Sequence, residues 1–202
     1  MTDLGLMHYC LGVDVWQQSS SIFISQSKYA RALLDKFRMQ DCKPASTPME
    51  KGLKLSAKSD SPSVDGTTYR QLIGSLIYLS ATRLDISFTV NYISRFMTAP
   101  KVDHWMAAKR VLRYVKSTSD YGLLYSRSSN PKLSGFIDSN WAGSVDDKKS
   151  TFGYVFSLGF GAVTWTSKKQ QAISLSSIEG LLRQDVKLFG FVKCLGICRC
   201  HQ

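Results

Sequence analysis

Hydrophobic and polar positions change period along this 202-residue chain, and each change marks a new element. The chain opens on alternation. Leu11, Val13 and Val15 fall on one side of a period-two strand, and Ile22 to Ser25 make a second strand across a turn region at 17–21. The period then lengthens. Ala30, Leu33, Leu34 and Phe37 recur at the spacing of one buried helical stripe. Residues 41–66 carry Pro44, Pro48 and Pro62 among Ser, Lys and Asp, which forbids a regular element and predicts a linker.

From Thr67 to about Lys116 the pattern is helical. Tyr69 to Leu79 is apolar on more than one side, as in a core helix. Asp85–Met97 and His104–Lys116 follow, the latter with Trp105, Ala108, Leu112 and Val115 on one stripe. Beyond a break at 126–131 the alternation returns. It predicts strands at Leu133–Asp138, Phe152–Leu158 and Ala162–Ser167, with Gly159 and Gly161 supplying a turn, and a helix opening near Ser176. Strands, then helices, then three antiparallel strands and a helix make an α+β chain.

Composition adds a partner. Hydrophobic residues at 44% and aromatics at 11% belong to a folded protein, and the formal net charge of +11 points to a polyanion, nucleic acid before membrane. Lys109, Arg113 and Lys116 share a face of the His104–Lys116 helix with Arg110 beside them, and no acid interrupts them. That face reads either as a phosphate contact or as an ordinary solvated surface. The first residues form no secretory signal, no apolar run is long enough to span a membrane, and five cysteines, an odd number, read as reduced thiols. The expected compartment is cytoplasm or nucleus, not an exterior one.

Two acids are the candidate chemistry. Asp138 ends the first strand of the last group, and Glu179 opens the helix that follows it. A carboxylate at a strand end and another at a helix start are the kind of ligands a divalent metal collects. Each has a second reading. Asp138 with Ser139 and Asn140 is good turn chemistry, and Ser176 with Glu179 forms a capping box. The tail's Cys194, Cys198, Cys200 and His201 lack the spacing of a closed zinc site.

Asp138-Ser-Asn-Trp-Ala-Gly143, Ser150-Thr-Phe-Gly-Tyr-Val-Phe156 and Lys168 through Glu179 together resemble the ribonuclease H region of copia-type retrotransposon polyproteins. Asp3 through Val15 resembles the end of that family's reverse-transcriptase palm, with its primer-gripping hairpin. Ser46-Thr-Pro-Met49, Tyr69 to Leu79, Ala81-Thr-Arg-Leu-Asp-Ile86 and His104 to Tyr114 resemble its thumb and connecting segments. The resemblance implies a division into palm end and start of thumb (1–40), Pro/Ser-rich linker (41–66), helical thumb and connection (67–126) and an incomplete ribonuclease H-like domain (130–202) with a divergent tail from about residue 180. It also implies the chemistry: carboxylates hold two Mg²⁺ ions that cut the RNA strand of an RNA–DNA hybrid. Asp138 and Glu179 match the first two carboxylates.

Departures from the family pattern lower that expectation. Asn140 stands where a second Asp is usual, and Gly180-Leu-Leu182 replaces Ala-Glu-Tyr. The family's later catalytic Asp has no counterpart, so the third carboxylate is missing and the chain is expected to be a truncated segment with little or no nuclease activity. The leading expectation is therefore a non-catalytic binder of hybrid or duplex through Arg70, Lys109, Arg110, Arg113, Lys116 and Lys168, with the rest of the polyprotein as a further partner. A relic without biochemical function ranks with it, and residual Mg²⁺-dependent cleavage through Asp138 and Glu179 is the alternative, below both.

Overall fold

The first reversal of the chain is a two-residue turn. In the computed structural model, which describes residues 5–127, 132–140, 146–147 and 149–170, β1 (Tyr9–Cys10) pairs with β2 (Val13–Gln17) across Leu11 and Gly12. Both turn residues have positive φ, +47° and +79°, as a primed hairpin turn requires. Leu11 is thus a turn residue, 87% exposed, and not the strand residue that alternation predicted. The Tyr78 hydroxyl donates to the Leu11 carbonyl, and a Cβ at position 12 would sit 2.1 Å from that hydroxyl oxygen. Only glycine fits there.

β3 (Ser21–Ser25) pairs with β2, and the chain then leaves the sheet for four helices. These are α1 (Ser27–Lys36), α2 (Gly66–Leu79), α3 (Leu84–Ser94) and α4 (Val102–Ser117). Helix α2 starts where Asp65 accepts from the backbone N–H groups of Thr67 and Thr68, at 3.2 and 2.8 Å. Its Tyr69, Leu72, Ile73 and Leu76 have no exposed surface, and they meet Leu33 and Leu34 of α1, Ile86, Val90 and Ile93 of α3, and Val111, Leu112 and Val115 of α4. Each such aliphatic side chain contributes about 1.5–3 kcal/mol on burial, so this four-helix cluster dominates stability. None of the described helices is long and apolar enough to cross a membrane.

The chain then returns to the sheet it left. β4 (Gly122–Ser126) pairs with β3 and completes a four-stranded antiparallel sheet in the order β1-β2-β3-β4. Periodicity ends the helices at about Lys116 and assigns no strand between there and the break at 126–131, the stretch where the structure places β4. Its Leu123–Leu124 pair does not alternate, and its partner lies on the far side of all four helices in sequence. A second antiparallel sheet follows: β5 (Leu133–Asn140), β6 (Thr151–Leu158) and β7 (Gly161–Lys169), in the order β5-β6-β7. Among the described residues the fold is α+β, with two antiparallel sheets and four helices.

The two sheets are joined through side chains. The Tyr125 ring packs onto Gly161, where a Cβ would meet it at 2.3 Å, and its hydroxyl donates to the Ala162 carbonyl at 2.6 Å. Arg95, just past α3, donates to the Thr151 hydroxyl at 3.0 Å.

One buried cation fixes the helices to the returning strand. Arg83, 2% exposed, donates from Nε and Nη2 to the two carboxylate oxygens of Asp85 at 2.9 and 2.7 Å. Its Nη1 reaches the Thr118 carbonyl at 2.8 Å and Nη2 the Thr118 hydroxyl at 2.6 Å, and its guanidinium lies 5.8 Å from the Tyr114 ring centroid and 5.4 Å from that of Tyr121. Burial alone would raise the Asp85 carboxyl, but the hydrogen bonds and charge of Arg83 outweigh it and hold the group below its ordinary value. Replacing Arg83 by Met keeps much of the stem volume but strands Asp85 and the Thr118 carbonyl. The expected cost is about 3 kcal/mol in urea unfolding, with Arg83→Lys recovering only part because it lacks the planar fork. A cost under about 1 kcal/mol for Arg83→Met, within the range of surface ion pairs, would refute this role.

Candidate functional site

The cations of α4 face a segment without regular structure. Arg113 Nε donates to the Lys43 carbonyl at 2.7 Å, and Lys116 Nζ to the Cys42 carbonyl at 2.7 Å. Arg110 pairs with Glu50 at 2.8 Å and donates to the Thr47 hydroxyl at 3.1 Å. Three of the four cations read from the helix pattern therefore hold the proline-containing segment. The fourth, Lys109, lies over the Trp105 ring, 5.5 Å from its centroid. The segment has no helix or strand, as its prolines require, yet it is packed down as a strap. Ala45 and Leu55 are buried, Met49 and Leu53 pack on the helical core, and the Tyr92 hydroxyl accepts from the Leu55 N–H at 2.9 Å.

The strap brings its own charge outward. Lys43, Lys51, Lys54 and Lys58 are all exposed, and between Lys43 and Lys58 the single acid, Glu50, is the one paired with Arg110. Of the other predicted contacts, Arg70 on α2 and Lys168 on β7 are exposed.

His104 locks the far end of the strap. It is fully buried and stacked on Phe96 with ring centroids 3.9 Å apart. Its Nδ1 accepts from the Lys101 backbone N–H at 3.0 Å, so Nε2 carries the proton and donates to the Ser56 carbonyl at 3.1 Å. Ser56 in turn donates its hydroxyl to Asp146, whose other oxygen accepts from the Ala57 N–H at 3.0 Å. Those bonds, the Ser56 hydroxyl first, hold the Asp146 carboxyl below its ordinary value. Neighbouring Asp147 pairs with Lys169 of β7 at 2.8 Å. The chain His104–Ser56–Asp146 thus runs from the helical core to the segment between β5 and β6.

Asp138 lies on β5 opposite Gly153, exposed, at the edge of a cavity of about 270 Å³ between α3 and the second sheet. Leu84, Phe88, Phe136, Thr151 and Ser167 also line that cavity. Glu179, its rival cap partner Ser176 and the cysteine-containing tail lie outside the described residues, as does the side chain of Asn140. Magnesium is held by a near-octahedral set of oxygens, usually including one or two carboxylates. Among the described residues no three His, Cys, Asp or Glu side chains come together at metal-binding reach. Of the two candidate carboxylates, Asp138 alone falls among the described residues.

The chain is 40% identical over 177 residues to the retrovirus-related Pol polyprotein from transposon RE2 of Arabidopsis thaliana, covering 88% of this chain and 12% of that protein. It is 37% identical over 188 residues to the corresponding polyprotein of transposon TNT 1-94 from Nicotiana tabacum, covering 89% of this chain and 14% of that one. An uncharacterized mitochondrial protein of Arabidopsis thaliana is 41% identical over 180 residues, which cover 89% of this chain and 74% of that protein. The chain belongs to the Pol polyprotein family of copia-type retrotransposons. No family model and no solved structure matches it. It spans about an eighth of the length of the transposon polyproteins it matches.

Two residues of this Pol segment that sequence reasoning left without a role organise the site. Arg83 stands two residues before Asp85 in a stretch otherwise suited to burial, which is the only sequence sign of a buried pair. His104 carries no such sign, because its partners Lys101 and Ser56 come from a cap and from the strap. Burial, foremost, pushes the His104 imidazole below its ordinary value near 6.5. The unfolded chain then binds that proton more readily, so the contribution is complete above the unfolded value and is lost as pH falls through it. The thermal midpoint should drop from about pH 7.5 to about pH 5.5, and that dependence should shrink in His104→Gln even though the variant is less stable at both. A midpoint flat over this range in the parent protein would rule out the lock.

Proposed function

We propose that this Pol segment comprises a reverse-transcriptase thumb and connection followed by the opening strands of a ribonuclease H-like domain. In this reading it holds RNA–DNA hybrid, or another duplex, without cutting it. The observation that supports the reading best is the strap. Four exposed lysines from Lys43 to Lys58 lie on a segment that Arg110, Arg113 and Lys116 fasten to α4, and its one acid in that span is already paired. The α4 cations Arg110, Arg113 and Lys116 become positioning residues, and the phosphate contacts pass to the strap lysines, with Arg70, Lys109 and Lys168 as further candidate contacts elsewhere on the protein. Fastening matters because a charge on ordered backbone loses less conformational freedom when it meets a phosphate.

The non-cutting half of the reading rests on the sequence at the acids. Asn140 gives one fewer charge beside Asp138, and Gly180-Leu-Leu182 follows Glu179 in place of the family's pattern. A two-ion site that loses carboxylates loses both ligands and the charge that holds the second ion. The order β5-β6-β7, antiparallel throughout, is compatible with the start of a ribonuclease H sheet.

A labelled RNA–DNA hybrid incubated with the purified chain and Mg²⁺ tests both halves. The expected result is salt-sensitive retention with the RNA strand intact. Replacing Lys51 and Lys54 together by Gln should lower affinity and flatten the log–log salt dependence by about 1–2, as each lost phosphate contact removes roughly 0.9 from the slope. Cleavage that disappears in Asp138→Asn would replace this reading by residual Mg²⁺-dependent nuclease activity. Retention indifferent to salt and to both lysines would end the strap assignment.

A further inference from the structure

Two cavities lie between the helices and the second sheet, one of about 270 Å³ and one of about 450 Å³. Ser87, Thr166 and Ser167 line both. The first is walled mainly by apolar groups, among them Phe88 of α3 and Phe136 of β5, 43% and 69% exposed. The second adds Ser80, Asn91, Ser94 and Thr164, so its walls carry hydroxyls and an amide. No lysine or arginine lines either one, although the chain has 26. Asp138 is the one charged residue in the two linings.

The register explains the opening. Asp138, Gly153 and Ser167 are paired in one row across β5, β6 and β7, so they share a face of the sheet. Gly153 leaves the middle of that row without a side chain. A Cβ there would meet only the Thr166 carbonyl, at 3.4 Å, and its φ is not positive, so the backbone does not demand glycine. What the glycine leaves is room. Beside it Ser167 is 8% exposed, and its hydroxyl has no hydrogen-bond partner among the described residues. A hydroxyl buried without a partner is destabilising, and this one lines both cavities.

We propose that the two cavities form one site for a small uncharged molecule, a flat apolar ring system bearing a hydrogen-bonding group that pairs with Ser167. The ring lies against Phe88 and Phe136, and the polar group reaches the hydroxyl that both cavities share. Small-molecule sites have this make-up, mostly apolar walls with a few polar groups that fix orientation. Charge excludes the other occupants. An anion would meet no cation in the linings and would lie near Asp138. A cation would leave water for walls whose one carboxylate belongs to an exposed residue. A nucleic-acid strand needs cations for its phosphates, so the site does not rest on the hybrid reading. Water can pair the hydroxyl but gains nothing from the aromatic wall. A bound molecule would add a link between α3 and the second sheet, beside the Arg95–Thr151 hydrogen bond.

Titrating the purified full chain into a fluorinated naphthamide, followed by broadening of the ligand's fluorine NMR line, tests the site. The expected dissociation constant is about 0.1 mM, ordinary for a neutral bicyclic amide in a partly open cleft. The corresponding naphthoate has nearly the same shape and a negative charge. It should bind at least about tenfold more weakly, whereas simple adhesion to a basic surface would favour it. Ser167→Ala should weaken the amide about fivefold, as the loss of one hydrogen bond does. Its thermal midpoint without ligand should not fall, because alanine removes an unpaired hydroxyl. Gly153→Val fills the middle of the row and should abolish the broadening while circular dichroism stays that of the parent. No broadening by the parent protein, tighter binding of the naphthoate, or full amide affinity in Ser167→Ala would each overturn the proposal. So would a lower midpoint in Ser167→Ala, which would mean that the hydroxyl is already paired. If Gly153→Val fails to fold, Ser167→Ala still decides.

Discussion

A guanidinium with almost no exposed surface must have its charge and its donors met inside the protein, and Arg83 imposes that condition on this fold. Asp85 supplies the charge, Thr118 supplies two oxygens, and Tyr114 and Tyr121 each bring a ring near the guanidinium. Those partners sit at the start of α3, at the end of α4 and just before β4. One side chain therefore helps decide where α4 stops and how the chain re-enters the first sheet. β4 can pair with β3 only if that return is correct, and Tyr125 of β4 is the residue that reaches the second sheet. The hydrophobic cluster supplies most of the stability, but it is non-directional. The buried ion pair supplies direction.

A similar economy governs the cations of α4. A row of positive charge on a helix is read most simply as a surface for phosphate, and here three of its members are turned toward main-chain carbonyls and Glu50 of the strap. The prolines of the strap exclude helix and sheet, so its carbonyls need donors from elsewhere, and long basic side chains reach them. The charge that would have faced a partner directly instead anchors a segment that carries lysines of its own. His104 completes the attachment at Ser56, and the Ser56–Asp146 bond extends it to the segment between β5 and β6.

Much of the architecture is legible in the chain. The stripe Ala30, Leu33, Leu34 is the buried face of α1, and Tyr69 to Leu79 is the fully buried helix its apolar character implies. The three strands beyond residue 132 fall where alternation places them, and Gly159 takes the positive φ that a two-residue hairpin turn needs in its first position. These are local effects, set by period and by backbone conformation. The failures were not local. Leu11 keeps the alternation of its neighbours but is drawn into a turn whose carbonyl is held by Tyr78, 67 residues away. β4 is a strand because β3 offers it an edge.

The sequence by itself determined the element types, the α+β class, the basic character and the membership in the retrotransposon Pol family, because each follows from residue identity and short-range spacing. Tertiary structure alone decided which cations remain exposed, that His104 is a neutral buried lock, and that Asp138 lies beside a largely apolar cavity and not among a cluster of described acids. It also decided that Asp138, Gly153 and Ser167, from three different strands, stand in one row beside that cavity. Side chains from distant segments set those outcomes through burial and hydrogen-bond geometry, and neither quantity is written in the spacing of any one segment.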